Sequence, residues 1–459
     1  PDDADEKAKS VHNLTAFRQR RNQSNKEIAR LTAIIKTPVV NITQRHKSIF
    51  DRAIIYATGG DWQDALSDYD HLIPRVQDLE LKLMALTNRG ATYVARGLFS
   101  NAYLDYTAVI QQSADYPAIK ANAYNNLGML LMQMGQSGNA LEQFNLGIAI
   151  RNVTTDVLWR LHLNRATLLG DMADWAAQID DLSLVLSSPD LPEAFKPRIL
   201  NTRGTAFLQV GADSRAQTDF EYALSISSIV SEQVAIACGA LGFLMVRSGK
   251  TKEALQYLDR ALEQEMISAN VLANVLFNRA ALLSDLGQPD TALIDYQRLL
   301  QIANIDLNTK FTALYNSALI LLPMGKDTAA LNLLNEVLAQ SQLDPILKRN
   351  ALLLRGQTYY DLAKYEFAEQ DFLMAWQAGS EVKLGFQLIL VHLALGQTEA
   401  ASELLNWLLQ QNIDPSDKEY FLRNLAFARQ NNIDSGMAKD IEIQILRSTP
   451  FEDSYQAIE

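Results

Sequence analysis

One pattern returns along the chain and constrains what it can build. Its anchors are Ala65, Ala102, Ala140, Gln178, Ala216, Ala254, Ala292, Ala330, Ala368 and Ala401, all but one of them small. The steps between them are 37, then seven of 38, then 33. Five residues before each anchor lies a glycine, replaced by alanine at Ala173 and Ala363 and otherwise at positions such as Gly97 and Gly135. Glycine there tolerates the positive φ that ends a helix and opens a tight turn. On both sides of the turn the apolar spacing is near 3.6, as in Tyr124, Leu127, Leu131 and Met134, then Ala140, Leu141, Phe144 and Ile148. That period predicts helices. Each unit therefore reads as helix A, turn, helix B, and a fixed step of this length is a solenoid signature.

The rest of the composition agrees. Gly and Pro are few, at 21 and 12 in 459 residues, which favours helix. The lone Cys238 excludes an internal disulfide and any Cys-based zinc site. It lies in an apolar helix, where a buried thiol acts as a small hydrophobe, and it suits a reducing, cytoplasmic compartment. No apolar run reaches bilayer length, since Leu388–Leu395 is short and interrupted by His392. The N-terminus is too polar for a secretory signal. Pro1 suits either loss of an initiator Met or a truncated start.

Charge is unevenly spread. Lys7 to Lys47 holds ten Lys/Arg against Glu27 alone, a balance of +9, after four acids in residues 1–6. The total of −12 then leaves −17 from Ser48 onward. Phe17–Ile35 reads as an amphipathic helix carrying Arg18, Arg20, Arg21, Lys26 and Arg30. Two readings stay open for this arm. It can dock as a cap on the acidic body, or it can contact nucleic acid, an anionic membrane or an effector. A body this acidic repels phosphates over most of its surface, which argues against a protein that wraps DNA.

Numbering each unit so that its anchor is position 20, small residues recur at position 8 (Ala53, Gly90, Gly128, Ala166, Gly204) and large apolar ones at position 24 (Tyr69, Tyr106, Phe144, Leu182, Phe220). Residues 46 to about 411 thereby resemble the tetratricopeptide repeat family. The resemblance implies an all-α, right-handed superhelical solenoid of about nine to ten hairpins. On this reading residues 1–47 form a basic arm, 48–411 the solenoid, and 412–459 capping helices and a tail. The family's usual unit is 34 residues. The turn between A and B keeps its length, so the extra residues fall between helix B and the next helix A. Helix A is then expected to start about one turn early, deepening the groove.

Two polar patterns run through the units. Position 7 is Arg52, Arg89, Arg165, Arg203, Arg279 and Arg355 where position 23 is Asp68, Asp105, Asp181, Asp219, Asp295 and Asp371. In the units with Leu127, Leu241 or Ser317, both charges are absent. The two positions are symmetric about the turn, so six Arg–Asp pairs are expected to fix helix A on helix B. The second pattern is asparagine at position 6: Asn88, Asn126, Asn164, Asn278 and Asn316. An amide offers both donor and acceptor, matching the backbone of an extended peptide. In related peptide-binding members this residue holds a ligand's backbone or carboxylate. The same face adds Asn122, Asn125, Arg160, Arg198, Asn201 and Asn274, and a peptide is expected across units three to five, where amides and two arginines converge. The plainer alternative is that these amides only bond neighbouring helices.

Catalytic signals are lacking. His12, His46, His71, His162 and His392 are scattered, with no HExxH, no GxxxxGK[ST] and no GxSxG. No metal or cofactor is implied. The expected function is a non-enzymatic scaffold or adaptor that binds a protein or peptide. The alternative is a regulatory module whose basic arm reaches nucleic acid or an effector.

Overall fold

The computed structural model describes residues 21–411, 413–430 and 435–447. Arg18, Arg20 and the tail beyond residue 447 lie outside the described residues. Everything described is helix or connection, with no strand among the described residues.

The chain divides into two bodies, Pro1–Gln233 and Val234–Glu459. In the first, α1 (residues 21–36) precedes five hairpins. These are α2 (Ile42–Gly59) with α3 (Trp62–Leu72), α4 (Leu79–Ala95) with α5 (Phe99–Gln112), α6 (Pro117–Gln133) with α7 (Ser137–Ile148), α8 (Thr155–Asp171) with α9 (Trp175–Leu186), and α10 (Lys196–Gln209) with α11 (Asp213–Ser225). In the second they are α12 (Ser231–Arg247) with α13 (Thr251–Leu262), α14 (Ala269–Asp285) with α15 (Pro289–Leu300), α16 (Leu307–Leu321) with α17 (Asp327–Leu338), α18 (Pro345–Asp361) with α19 (Tyr365–Ala378), and α20 (Val382–Ala394) with α21 (Thr398–Leu408). Two more helices, α22 (Pro415–Gln430) and α23 (Ser435–Arg447), follow.

Helix A does begin a turn early: α6 opens at Pro117 and α4 at Leu79, four residues ahead of the motif starts at Ala121 and Leu83. Proline suits that place because the first turn has no partner for its missing N–H. In α4 the Asp78 carboxylate caps the start, accepting from the Leu81 N–H at 3.3 Å. Each A helix then ends in one device. Leu98 N–H bonds the Tyr93 carbonyl at 2.9 Å across Gly97, whose φ is +73°. This six-to-one bond needs a left-handed residue. Ala173 and Ala363 take the same conformation, at φ +58° and +56°, although they carry a Cβ.

The hairpins close because position 8 lets a ring through. A Cβ added to Gly128 would meet Phe144 Cε1 at 2.6 Å, and one on Gly90 would meet Tyr106 Cε1 at the same distance. Phe144 and Tyr106 are buried. Burying each such side chain contributes roughly 1.5–3 kcal/mol. At the C-terminal end Phe386 stacks on Phe421 at 4.0 Å, and Leu425, Ile441 and Ile445 complete that core. The last apolar face is thus covered, as a solenoid end requires.

All six Arg–Asp pairs form, and each is a two-pronged clasp. Arg203 donates from Nε to Asp219 Oδ2 and from Nη2 to Oδ1, both at 2.7 Å. Arg52, Arg89, Arg165, Arg279 and Arg355 repeat the geometry. The aspartates are buried and the arginines half-buried. The third nitrogen, Nη1, reaches the preceding unit. Its acceptors are Asp70, Asn145, Ser183, Asp259 and Asn335 for the five later arginines, and Thr32 of α1 for Arg52. The clasp therefore joins hairpin to hairpin as well as helix to helix. Through Thr32, Leu31 and Ile35, α1 docks on the first hairpin, which favours the capping role of the arm.

Candidate functional site

Within the first body consecutive A helices touch, α2 with α4, α4 with α6 and α6 with α8. Their shared face carries the asparagines. On α6, Asn122 and Asn126 are one turn apart and half-buried, and neither side chain has a hydrogen bond among the described residues. Asn125, between them, is buried. Its Oδ1 accepts from Asn164 Nδ2 of α8 at 2.8 Å. Asn164 Nδ2 also lies 3.4 Å from Met129 Sδ, and Asn125 Nδ2 lies 3.7 Å from it. The Met129 side chain is 49% exposed, so the α6–α8 seam presents an amide pair capped by a thioether.

The other candidates divide. Arg160 is exposed and turns back on its own helix, donating to the Asp156 carbonyl and carboxylate at 3.0 and 2.9 Å. Arg198 is exposed on α10. Asn201 is buried and its Nδ2 is occupied by Gln233, at 2.9 Å to the backbone oxygen and 3.0 Å to the side-chain oxygen. Its Oδ1 is buried without a partner. Asn88 lines a cavity of about 250 Å³ between α2, α3 and α4. In the second body Asn316 donates to the Tyr296 hydroxyl at 3.1 Å, while Asn278 is half-buried on α14 with no side-chain hydrogen bond among the described residues. Position-6 asparagines thus fall into two kinds. Asn164 and Asn316 bond a neighbouring helix, and Asn126 and Asn278 keep both amide functions available.

Two contributors escaped the sequence reading. Met129 sits three residues after Asn126, a spacing that does place it on the same face. The acceptors of the third arginine nitrogen were also missed, although five residues after the anchor the chain reads Asp, Asn or Ser ahead of each later arginine and Thr107, Glu221 or Gln297 elsewhere.

The shifted titratable groups sit in contacts that hold helices together. Burial works against the Asp181 charge, yet hydrogen bonds from Arg165 and His162 hold it below the ordinary carboxylate value. His162 Nδ1 stands 2.7 Å from Asp181, and His392 Nδ1 stands 3.2 Å from Glu369. Burial pushes the Cys238 thiol up to about 11, leaving it protonated and inert. Among the described residues no cluster of His, Cys, Asp and Glu could hold a metal, and no helix is long and apolar enough to cross a membrane.

Residues 121–153 match the tetratricopeptide repeat family model, covering α6, α7 and the connection beyond. No curated protein matches the sequence. Among solved structures, the chain is similar to the apo form of the quorum sensor NprR from B. thuringiensis, at 12% identity over 74% of this chain and 99% of that one, with a TM-score of 0.52. It is also similar to PilF of Pseudomonas aeruginosa (19% identity, 50% and 99% covered, TM-score 0.42) and to a tetratricopeptide repeat protein from Parabacteroides merdae (17%, 67% and 97%, 0.35). At such identities the likeness is one of fold. The matched unit is a tetratricopeptide repeat, and the hairpins on either side share its helix–turn–helix form. Such repeats typically mediate protein–protein interactions.

Proposed function

We propose that the protein is a non-enzymatic, cytoplasmic scaffold whose A-helix face, across units three to five, receives an extended segment of a partner protein. The observation that carries this reading is the pair of free amides on α6. Asn122 and Asn126 each offer a donor and an acceptor on one face, beside the exposed Met129 thioether. That is the complement of a peptide backbone flanked by an apolar side chain. Arg160 and Arg198 stand on the same face of α8 and α10 and would take an acidic group. Rigid helices leave the ordering cost of binding mainly to the peptide.

Affinity capture from the native host, read by mass spectrometry, tests it with Asn122→Ala/Asn126→Ala. Neither amide has an internal partner, so the double variant should melt within about 1 kcal/mol of the parent. Loss of a partner that the parent retains is expected. A folded variant that keeps every partner would reject the assignment.

A further inference from the structure

Met129 is held in a way that the other exposed methionines are not. Its side chain is half exposed, on the face of α6 that carries Asn122 and Asn126. Two amide nitrogens stand against its sulfur, Asn164 Nδ2 from α8 at 3.4 Å and Asn125 Nδ2 at 3.7 Å. Asn164 Nδ2 also donates to Asn125 Oδ1, at 2.8 Å. Asn125 is buried, and its Nδ2 has no other acceptor among the described residues. A thioether is a weak acceptor, and a buried donor left poorly satisfied costs free energy. The site therefore holds two donors in place for an oxygen that the reduced side chain lacks. Met84, Met134, Met172, Met266 and Met374 are also exposed, but among the described residues no amide stands against their sulfurs.

We propose that Met129 is a reversible oxidation site, where a hydroperoxide converts the thioether to a sulfoxide whose oxygen accepts from Asn125 and Asn164. A sulfur lone pair attacks one peroxide oxygen, an S–O bond forms and the O–O bond breaks. With hydrogen peroxide, the proton of the transferred oxygen passes to the leaving hydroxide, which departs as water. Sulfur loses two electrons and the peroxide gains them. The two lone pairs of sulfur give opposite sulfoxide epimers, each restored by its own reductase. Asn125 and Asn164 are bonded to each other, so both meet the sulfur from one side. One epimer therefore keeps its oxygen on the amides, and the other turns it away. Oxidation also makes the exposed thioether of the α6–α8 seam polar. Release of a bound segment by oxidant follows from that change and rests on the peptide reading above; the oxidation site itself does not.

The epimer ratio tests the proposal. The full chain is treated with hydrogen peroxide and digested, and the digest is divided between the two methionine sulfoxide reductases, with mass spectrometry reading the oxygen left at each methionine. At Met266, 97% exposed, the two enzymes should repair nearly equal shares. At Met129 one enzyme should repair at least about fivefold more than the other, the ratio expected from a hydrogen bond made by one epimer alone. Asn164→Ala should bring Met129 to the Met266 ratio, and the comparison within the parent decides the matter if that variant does not fold. No sulfoxide at Met129 where Met266 is oxidised, equal repair of Met129 by both enzymes, or unchanged selectivity in folded Asn164→Ala would overturn the proposal. For the seam, the oxidised parent should lose a partner that the reduced parent captures, and Met129→Leu should keep it in oxidant. Capture of that partner by the parent oxidised at Met129 would overturn the release. A reduced parent that captures nothing would instead reject the peptide reading, and the epimer ratio would still decide the oxidation site.

Discussion

Units three and four are neighbours in the same body and solve the same packing problem differently. In unit four, α8 and α9 are clasped by Arg165 and Asp181, with Arg165 Nη1 reaching Asn145 of unit three at 2.6 Å. In unit three the corresponding residues of α6 and α7 are Leu127 and Gln143. Leu127 is buried, and the hairpin closes through Gly128 on Phe144 without any ion pair. The clasp is therefore not what makes a hairpin. Apolar closure at positions 8 and 24 does that, and the arginine adds a tie to the unit before. Unit three lacks that tie, and its A helix carries the free amides of the proposed seam.

The largest effect should come from breaking a clasp on one side. Arg203–Asp219 is the cleaner pair, because Asp181 also holds His162. Arg203→Leu strands a buried carboxylate and should cost roughly 3–5 kcal/mol in urea unfolding. Arg203→Leu with Asp219→Leu should recover most of that loss, since well-packed apolar residues replace a buried pair at little cost. Additive damage in the double variant would mean that the two residues act separately.

A smaller effect separates the two turns. Unit three ends its A helix on Gly135 and unit four on Ala173, both left-handed. A Cβ in that conformation costs roughly 1–2 kcal/mol, less the extra freedom glycine gives the unfolded chain. Ala173→Gly should therefore stabilise by about 1 kcal/mol, and Gly135→Ala should destabilise by a similar amount. Nothing lies within 4 Å of a Cβ built on Gly135, so the change tests backbone conformation alone. A neutral result in both directions would show that the turn relaxes.

These contrasts also explain what was legible in the sequence. The step between anchors, the hairpins and the six Arg–Asp pairs could be read because each rests on a short intramolecular spacing that repeats. The fate of the amides could not. Position 5 of helix A turns toward the adjoining A helix, so Asn125 and Asn201 are buried while Asn122 and Asn126 stay half-buried. One residue along a helix rotates a side chain by about 100°, and a face defined by five positions spans both environments.

The smallest effect falls within unit four itself. Arg160–Asp156, within α8, and Arg165–Asp181, from α8 to α9, are both Arg–carboxylate contacts, at 2.9 and 2.7 Å. Length does not distinguish them, but exposure does. The Asp156 side chain is 53% exposed and that of Asp181 is 2%. An exposed i,i+4 pair contributes about 0.3–0.5 kcal/mol and is screened by salt, whereas a buried one leaves an unsolvated charge when broken. Arg160→Ala should therefore shift the unfolding midpoint by less than about 0.5 kcal/mol, and by less still at 1 M salt, where screening acts within about 3 Å. Its guanidinium can leave Asp156 for a ligand at little cost, as a groove contact must. A loss above about 2 kcal/mol would instead make Arg160 structural and remove it from the proposed seam.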